Sequence, residues 1–179
     1  AKLKPRICKT GALYFSTSYF SPAGSFSLGR ESFVTLEYSE ACPADLQAPL
    51  SIEAWIYPDD RTSGTAIILN KEYSWKVGIA PDGHLKSAFQ LQDGSDWSWQ
   101  GQGEIPLNVW SHIVVTYDGK TVRHFLNGLE IYAYPLVGQT FLSSKNLCIG
   151  AHGGDNLARY GFFNGAIARK KECDRIAAI

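Results

Sequence analysis

Two tryptophans, Trp97 and Trp99, stand two residues apart among Asp96, Ser98, Gln100 and Gln102. In a strand that spacing points both indoles to one side. Sugar rings present apolar C–H faces that stack on such rings, and amides or carboxylates beside them bind the hydroxyls. Trp97, Trp99, Asp96 and Gln100 are therefore candidate ligand-binding residues. Tyr73, Trp75, His152 and Tyr160 are aromatic side chains that neighbouring loops can add to them. The competing reading makes one of the two indoles a core residue that closes a concave face. Other chemistries are weaker. Asp59 and Asp60 adjoin in a turn, Asp93 and Asp96 flank a hairpin tip, and all four read as turn formers. Neither a Gly-x-Ser-x-Gly elbow nor a phosphate-cradling glycine loop occurs. His124 lies between Val122 and Leu126 on one strand face and reads as a hydrogen-bonded core histidine.

The elements that must position these residues are strands. The clearest stretch is Trp110–Tyr134, three strands and two tight turns. Trp110–Tyr117 is rich in β-branched and aromatic residues, which suit a pleated surface. Asp118-Gly119 breaks it, Thr121–Leu126 follows, and Asn127-Gly128 turns the chain into Leu129–Tyr134. A type I′ turn needs φ > 0 at both central residues, which Asn-Gly accepts. An antiparallel meander is predicted here.

The remaining chain continues in the same style. Strands are predicted at Ala12–Phe15, Phe33–Tyr38, Leu50–Tyr57, Ala66–Leu69, Tyr73–Ala80, His84–Gln92, from Asp96 to Gln100, and at Asn146–Ala151. Asp82-Gly83 and Asp93-Gly94 mark further turns, and a glycine-rich loop runs from Gly153 to Gly161. Ser16–Gly29 has no helical period and reads as a long loop or insertion. Residues 1–11 read as a basic arm. From Ala168 on, a charge run reads as a solvated tail.

Composition narrows the function classes. Seventeen basic and seventeen acidic residues cancel, so the electrostatic footprint of a nucleic-acid binder is absent. No apolar run approaches the roughly 20 residues of a membrane-spanning helix. Ala1 and the lack of any Met fit a processed N-terminus. Cys8, Cys42, Cys148 and Cys173 form no metal-binding spacing. They permit two disulfides, Cys8–Cys42 and Cys148–Cys173 by sequence neighbourhood, or stay as buried thiols.

Several stretches, in order, resemble the laminin G-like jelly roll of the concanavalin A-like lectin/glucanase superfamily. They are Ala12-Leu13-Tyr14-Phe15 with Phe33-Val34-Thr35-Leu36, Leu50–Pro58, Pro106–Ile113, Tyr117-Asp118-Gly119, Leu126-Asn127-Gly128, Cys148-Ile149-Gly150 and Phe163–Ile167. The resemblance implies an all-β fold: one jelly-roll sandwich of two antiparallel sheets spanning residues 1–179. It departs from the family at the Ser16–Gly29 insertion. It departs again at the last strand, where Ala168 replaces an Asp and Lys170 and Glu172 replace apolar residues. That strand is then shorter, shifted or replaced by an exposed tail.

The resemblance also carries functional expectations. A non-catalytic module binding a glycan or glycoprotein comes first, a protein–protein adhesion domain second, and a polysaccharide hydrolase or lyase third. Hydrolases of the superfamily place paired carboxylates on one strand as Glu-x-Asp-x-x-Glu or Glu-x-Asp-x-Glu. No such run occurs here, and Glu53 stands alone among apolar neighbours. His112 falls in the family's strand motif and is expected to be structural. Laminin G-like domains often hold calcium at a loop rim, and Glu72, Asp155 and Asn156 fall in the corresponding loops. An extracellular or cell-surface setting is implied, with the cytoplasm as the alternative.

Overall fold

The computed structural model describes residues 6–7, 13–14, 25–28, 33–36, 38, 47–95, 98–153 and 160–168. All its regular elements are strands: β1 (Arg6–Ile7), β2 (Leu13–Tyr14), β3 (Ser25–Leu28), β4 (Val34–Leu36), β5 (Leu50–Pro58), β6 (Ala66–Lys71), β7 (Trp75–Ile79), β8 (Leu85–Phe89), β9 (Ser111–Tyr117), β10 (Thr121–Leu126), β11 (Leu129–Pro135), β12 (Leu147–Ile149) and β13 (Gly165–Ala168). Two antiparallel sheets face each other as a jelly-roll sandwich. One has six strands in the order β11-β10-β9-β5-β13-β3, the other five in the order β4-β12-β6-β7-β8. β1 and β2 pair separately.

Period-two alternation explains which side chains meet in the middle. In β5, Leu50, Ile52, Ala54 and Ile56 are buried while Ser51 and Glu53 are exposed. β9 alternates likewise, with Ile113, Val115 and Tyr117 pointing inward. From the other sheet, Trp75, Val77, Ile79, Leu85 and Phe89 complete the core. His124 on β10 is fully buried, and its Nε2 lies 2.7 Å from Ser87 Oγ on β8, so a hydrogen bond joins the two sheets. Burial pushes its pKa down to about 4, against a smaller opposing effect of the Leu85 backbone.

The turns form as their residues dictate. Asn127 has φ 49° and Gly128 φ 85°, as a type I′ turn requires. Asp118 Oδ1 accepts from the amides of Lys120 at 2.8 Å and Thr121 at 2.7 Å, while Gly119 takes φ 88°.

Two sequence expectations need correction. Ser25–Leu28, inside the stretch read as a loop, is strand β3, which pairs with β13 at the sheet edge. Its Ser-Phe-Ser-Leu alternation is a strand signal that the surrounding serines and glycines mask. The strand expected from Asp96 to Gln100 is not formed at residues 98–99. Gln100 makes only an isolated bridge to Ser87, after which Gly101 and Gly103 take positive φ. At the C-terminal end, β13 is short and closes on buried Ala168. The tail beyond it, and Cys8, Cys42 and Cys173 with the disulfide expectation, lie outside the described residues.

Candidate functional site

The outer face of the five-stranded sheet carries an open groove of about 770 Å³. Alternation on β7 creates its floor: Trp75 and Val77 turn to the core, so Lys76 turns outward, flanked in register by Asn70 on β6 and Ala88 on β8. Lys76 is only 8% exposed, and its Nζ lies 4.8 Å from the centroid of the Trp99 ring. Burial lowers its pKa below the ordinary lysine value, and the nearby Glu72 charge opposes that shift.

Residues 60–65 form one wall. Asn164 pins this segment from two sides: its carbonyl accepts from the Asp59 amide at 3.0 Å, and its Nδ2 donates to Asp60 Oδ2 at 3.1 Å. Arg61 anchors it from beneath through Nη2 to the Ile105 carbonyl and 3.5 Å from Glu104. Another wall is the segment around Tyr160–Phe162, laced to β6 by the Ile67 amide donating to the Gly161 carbonyl at 2.7 Å. Gly161 has φ 63°, and a Cβ there would come 2.7 Å from the Thr65 carbonyl oxygen. The wall closes only because that side chain is missing.

A chain of contacts runs from the interior to this wall. Asn70, fully buried, donates through Nδ2 to Glu72 Oε2 at 3.0 Å and toward the Gly153 carbonyl at 3.4 Å. Glu72 Oε2 also lies 3.1 Å from His152 Nε2, both side chains being more than nine-tenths buried. The His152 ring then stacks on Tyr160 at 4.3 Å and 16°. Tyr160 is 55% exposed, so the phenol is backed by a fixed imidazole yet open to a ligand. Partial burial and then the Glu72 charge raise its pKa.

The structure thus brings together Trp99, His152 and Tyr160 in the groove, with Glu72 behind them. Gln100 is turned to β8 and to Ser98 Oγ, 3.3 Å from its Nε2. Tyr73, with φ 63° and 47% exposure, sits on the β6–β7 turn away from the groove lining. Trp97, Asp96, Asp155 and Asn156 lie outside the described residues. Sequence reasoning missed Lys76, Asn70 and residues 60–65. A lysine inside the apolar strand Trp75–Ile79 was the available signal, since period two turns it away from the core. Glu53, read as isolated, accepts from His112 Nε2 at 2.9 Å on the six-stranded face.

Calcium takes six to eight oxygen ligands. Among the described residues the oxygens here include Glu72, the Gly153 carbonyl and the buried Oδ1 of Asn70, which has no hydrogen-bond partner. Glu72 already faces two N–H donors, and no group of three His, Cys, Asp or Glu suited to a metal occurs among the described residues. Of the three residues expected to hold calcium, the structure describes Glu72 alone; Asp155 and Asn156 lie outside the described residues.

A family model described as concanavalin A-like lectin/glucanases superfamily matches residues 28–170. No curated protein matches the chain. Among solved structures, the sialidase carbohydrate-binding module of Ruminococcus gnavus bound to α2,6-sialyllactose is similar, with TM-score 0.61 and 13% identity over 81% of this chain and 88% of that one. Domain 4 of the arabinanase AbnA from Geobacillus stearothermophilus, in complex with arabinotriose, has TM-score 0.51 and 18% identity over 86% and 82%. Domains LG4–5 of the mouse laminin α1 chain give 0.58 and 12% over 81% and 39%. At these identities the likeness is one of fold.

Proposed function

Because the chain belongs to the concanavalin A-like lectin/glucanases superfamily, on its laminin G-like side, we propose that it is a non-catalytic module that binds carbohydrate in this groove. The observation that carries the reading is that the imidazole-backed Tyr160 ring and Trp99 line one open groove. Polar side chains of residues 60–65 and Asn164 flank them, as sugar hydroxyls require. Similar folds bound to sialyllactose and arabinotriose support a glycan ligand. For a hydrolase, two carboxylates must converge, and among the described residues Asp60 is the one carboxylate lining the groove. The same reading puts the module at the cell surface or outside the cell.

Glycan-array binding followed by titration calorimetry tests it. Tyr160→Ala and Trp99→Ala are each expected to weaken binding by about tenfold or more, equivalent to roughly 1.4 kcal/mol. Full affinity in both variants, with melting curves intact, removes the groove from consideration. A protein-contact reading has one observation in its favour. Exposed Tyr73, Phe141 and Leu142 adjoin, because Gln90 bonds both the Ser74 carbonyl at 2.9 Å and the Phe141 amide at 2.8 Å. That ridge lies outside the groove, so Tyr73→Ser separates the two readings: it leaves glycan binding unchanged.

A further inference from the structure

Trp99 enters the groove from the start of a strap, residues 100–105, that runs along β8. β8 is an edge strand of its sheet, and the strap takes up backbone groups on it. Gln100 exchanges two backbone bonds with Ser87, both 2.9 Å. Further on, the Leu85 amide donates to the Gly103 carbonyl at 3.0 Å and the Ile105 amide to the Gly83 carbonyl at 2.9 Å. The strap lies this close because residue 101 has no side chain. A Cβ on Gly101 would fall 2.1 Å from the Leu85 carbonyl oxygen and 2.9 Å from His124 Cε1.

His124 decides whether that seat holds. Cε1 stands between the two ring nitrogens, so the strap crosses the titrating edge of the ring. Nε2 shares the 2.7 Å bond with Ser87 Oγ, while Nδ1 is sealed from solvent without a hydrogen-bond partner. A second ring proton arrives there as a buried charge, which is costly unless answered. The Leu85 backbone favours the charged ring, and burial outweighs it. Around the ring stand Ser87 and Leu85 from β8, Val115 from β9, and Tyr132 and Tyr134 from β11. Lys86 sends its ammonium to within 3.5 Å of Asp82, and Glu104 on the strap lies 3.5 Å from Arg61, so both face other partners. The strap belongs to neither sheet's strands and is therefore the least costly of these elements to displace.

We infer that His124 is a positioning residue for the glycan site: as a neutral ring it lets the strap seat Trp99 in the groove, and in acid its protonation unseats the strap and weakens binding. This rests on the glycan reading above and adds its regulation. A Trp99 held by the Lys76 contact at 4.8 Å alone makes the opposite forecast, that His124 has no say in binding.

Two readouts on the whole chain test it, each at pH 7 and pH 5: backbone hydrogen exchange, which needs no ligand, and a glycan array. The Gln100 amide is expected to exchange ahead of the β7 amides. Its protection is expected to fall about twentyfold from pH 7 to pH 5, as a pKa of 6.5 with the strap off and about 4 with it on prescribes. The array signal is expected to drop at pH 5 to the level of Trp99→Ala. In His124→Gln, which cannot take up the proton, neither readout is expected to change between the two pH values. No acid loss in the wild type, or a loss as large in His124→Gln, overturns the inference and leaves the glycan reading standing. So does exchange of Gln100 in step with the β7 amides, which means that the whole fold opens. Should His124→Gln fail to fold, Gly101→Ala replaces it: its Cβ lifts the strap at pH 7, where the signal is expected to stand already at the Trp99→Ala level, and a full signal overturns the inference. An array blank for the folded wild type at both pH values overturns the glycan reading, while the exchange arm still judges the strap.

Discussion

The two outer faces of the sandwich obey the same alternation and use it differently. On the six-stranded sheet the outward side chains pair and stack along the surface. Glu53 bonds His112 at 2.9 Å, His112 stacks on Trp55 at 5.0 Å, Tyr57 packs on Trp110 at 5.6 Å, and Arg123 lies 3.2 Å from Glu130. On the five-stranded sheet, loops cover the outward row, and its polar groups are buried under them. Asn70, Glu72, Lys76 and His152 are all nine-tenths buried or more. A flat face lets water complete each polar group, so its residues are cheap to hold and say little about a ligand. A covered face must arrange every partner within the protein, so each of its polar groups is costly to strand.

The largest expected effect follows directly. Glu72→Ala leaves the His152 and Asn70 N–H groups buried without their acceptor and is expected to cost about 4 kcal/mol in denaturant unfolding. Glu53→Ala, on a carboxylate 56% exposed, removes the matching pair on the open face. Its expected cost is about 0.5 kcal/mol, as for other solvated ion pairs. Equal losses would erase the contrast between the faces.

Next comes the residue that joins the sheets. His124 has a folded pKa of about 4 against 6.5 for the free side chain. The unfolded chain therefore takes up the proton first. Stability is complete above pH 6.5 and falls as pH drops toward 4, by roughly 3 kcal/mol in total. Below that it no longer changes on this account. His124→Gln is expected to flatten this part of the pH profile, and a wild-type profile already flat from 6.5 to 4 would contradict the burial argument.

The smallest expected effect concerns metal. Since Glu72 is engaged by two N–H donors, EDTA is expected to leave the melting temperature unchanged. A clear drop would return calcium to the covered face, through Asp155 and Asn156.

Much of the scaffold was legible in the sequence because its causes are local. Asn127-Gly128 forces a hairpin whatever surrounds it, and the alternation of Leu50–Pro58 assigns each residue to a face before any partner strand is known. β3 was harder. Four residues in a serine-rich stretch become a strand because β13 offers them an edge, and that offer is made in three dimensions. The candidate site was legible only in part. Trp99, His152 and Tyr160 were singled out by type, and the groove contains them. Pairing Trp99 with Trp97 on one strand face assumed a strand that residues 98–99 do not form. Gln100 and Tyr73 were included by neighbourhood and are not among the groove-lining residues.

Period, turn chemistry and the spacing of apolar residues were enough to specify stacked antiparallel sheets, since each acts within a few residues along the chain. Which outward face becomes a groove was decided by the tertiary structure alone. It depends on Gly161 approaching Thr65, on Asn164 holding residues 60–65, and on Glu72 meeting His152. Those contacts join residues far apart in sequence, and no local pattern encodes them.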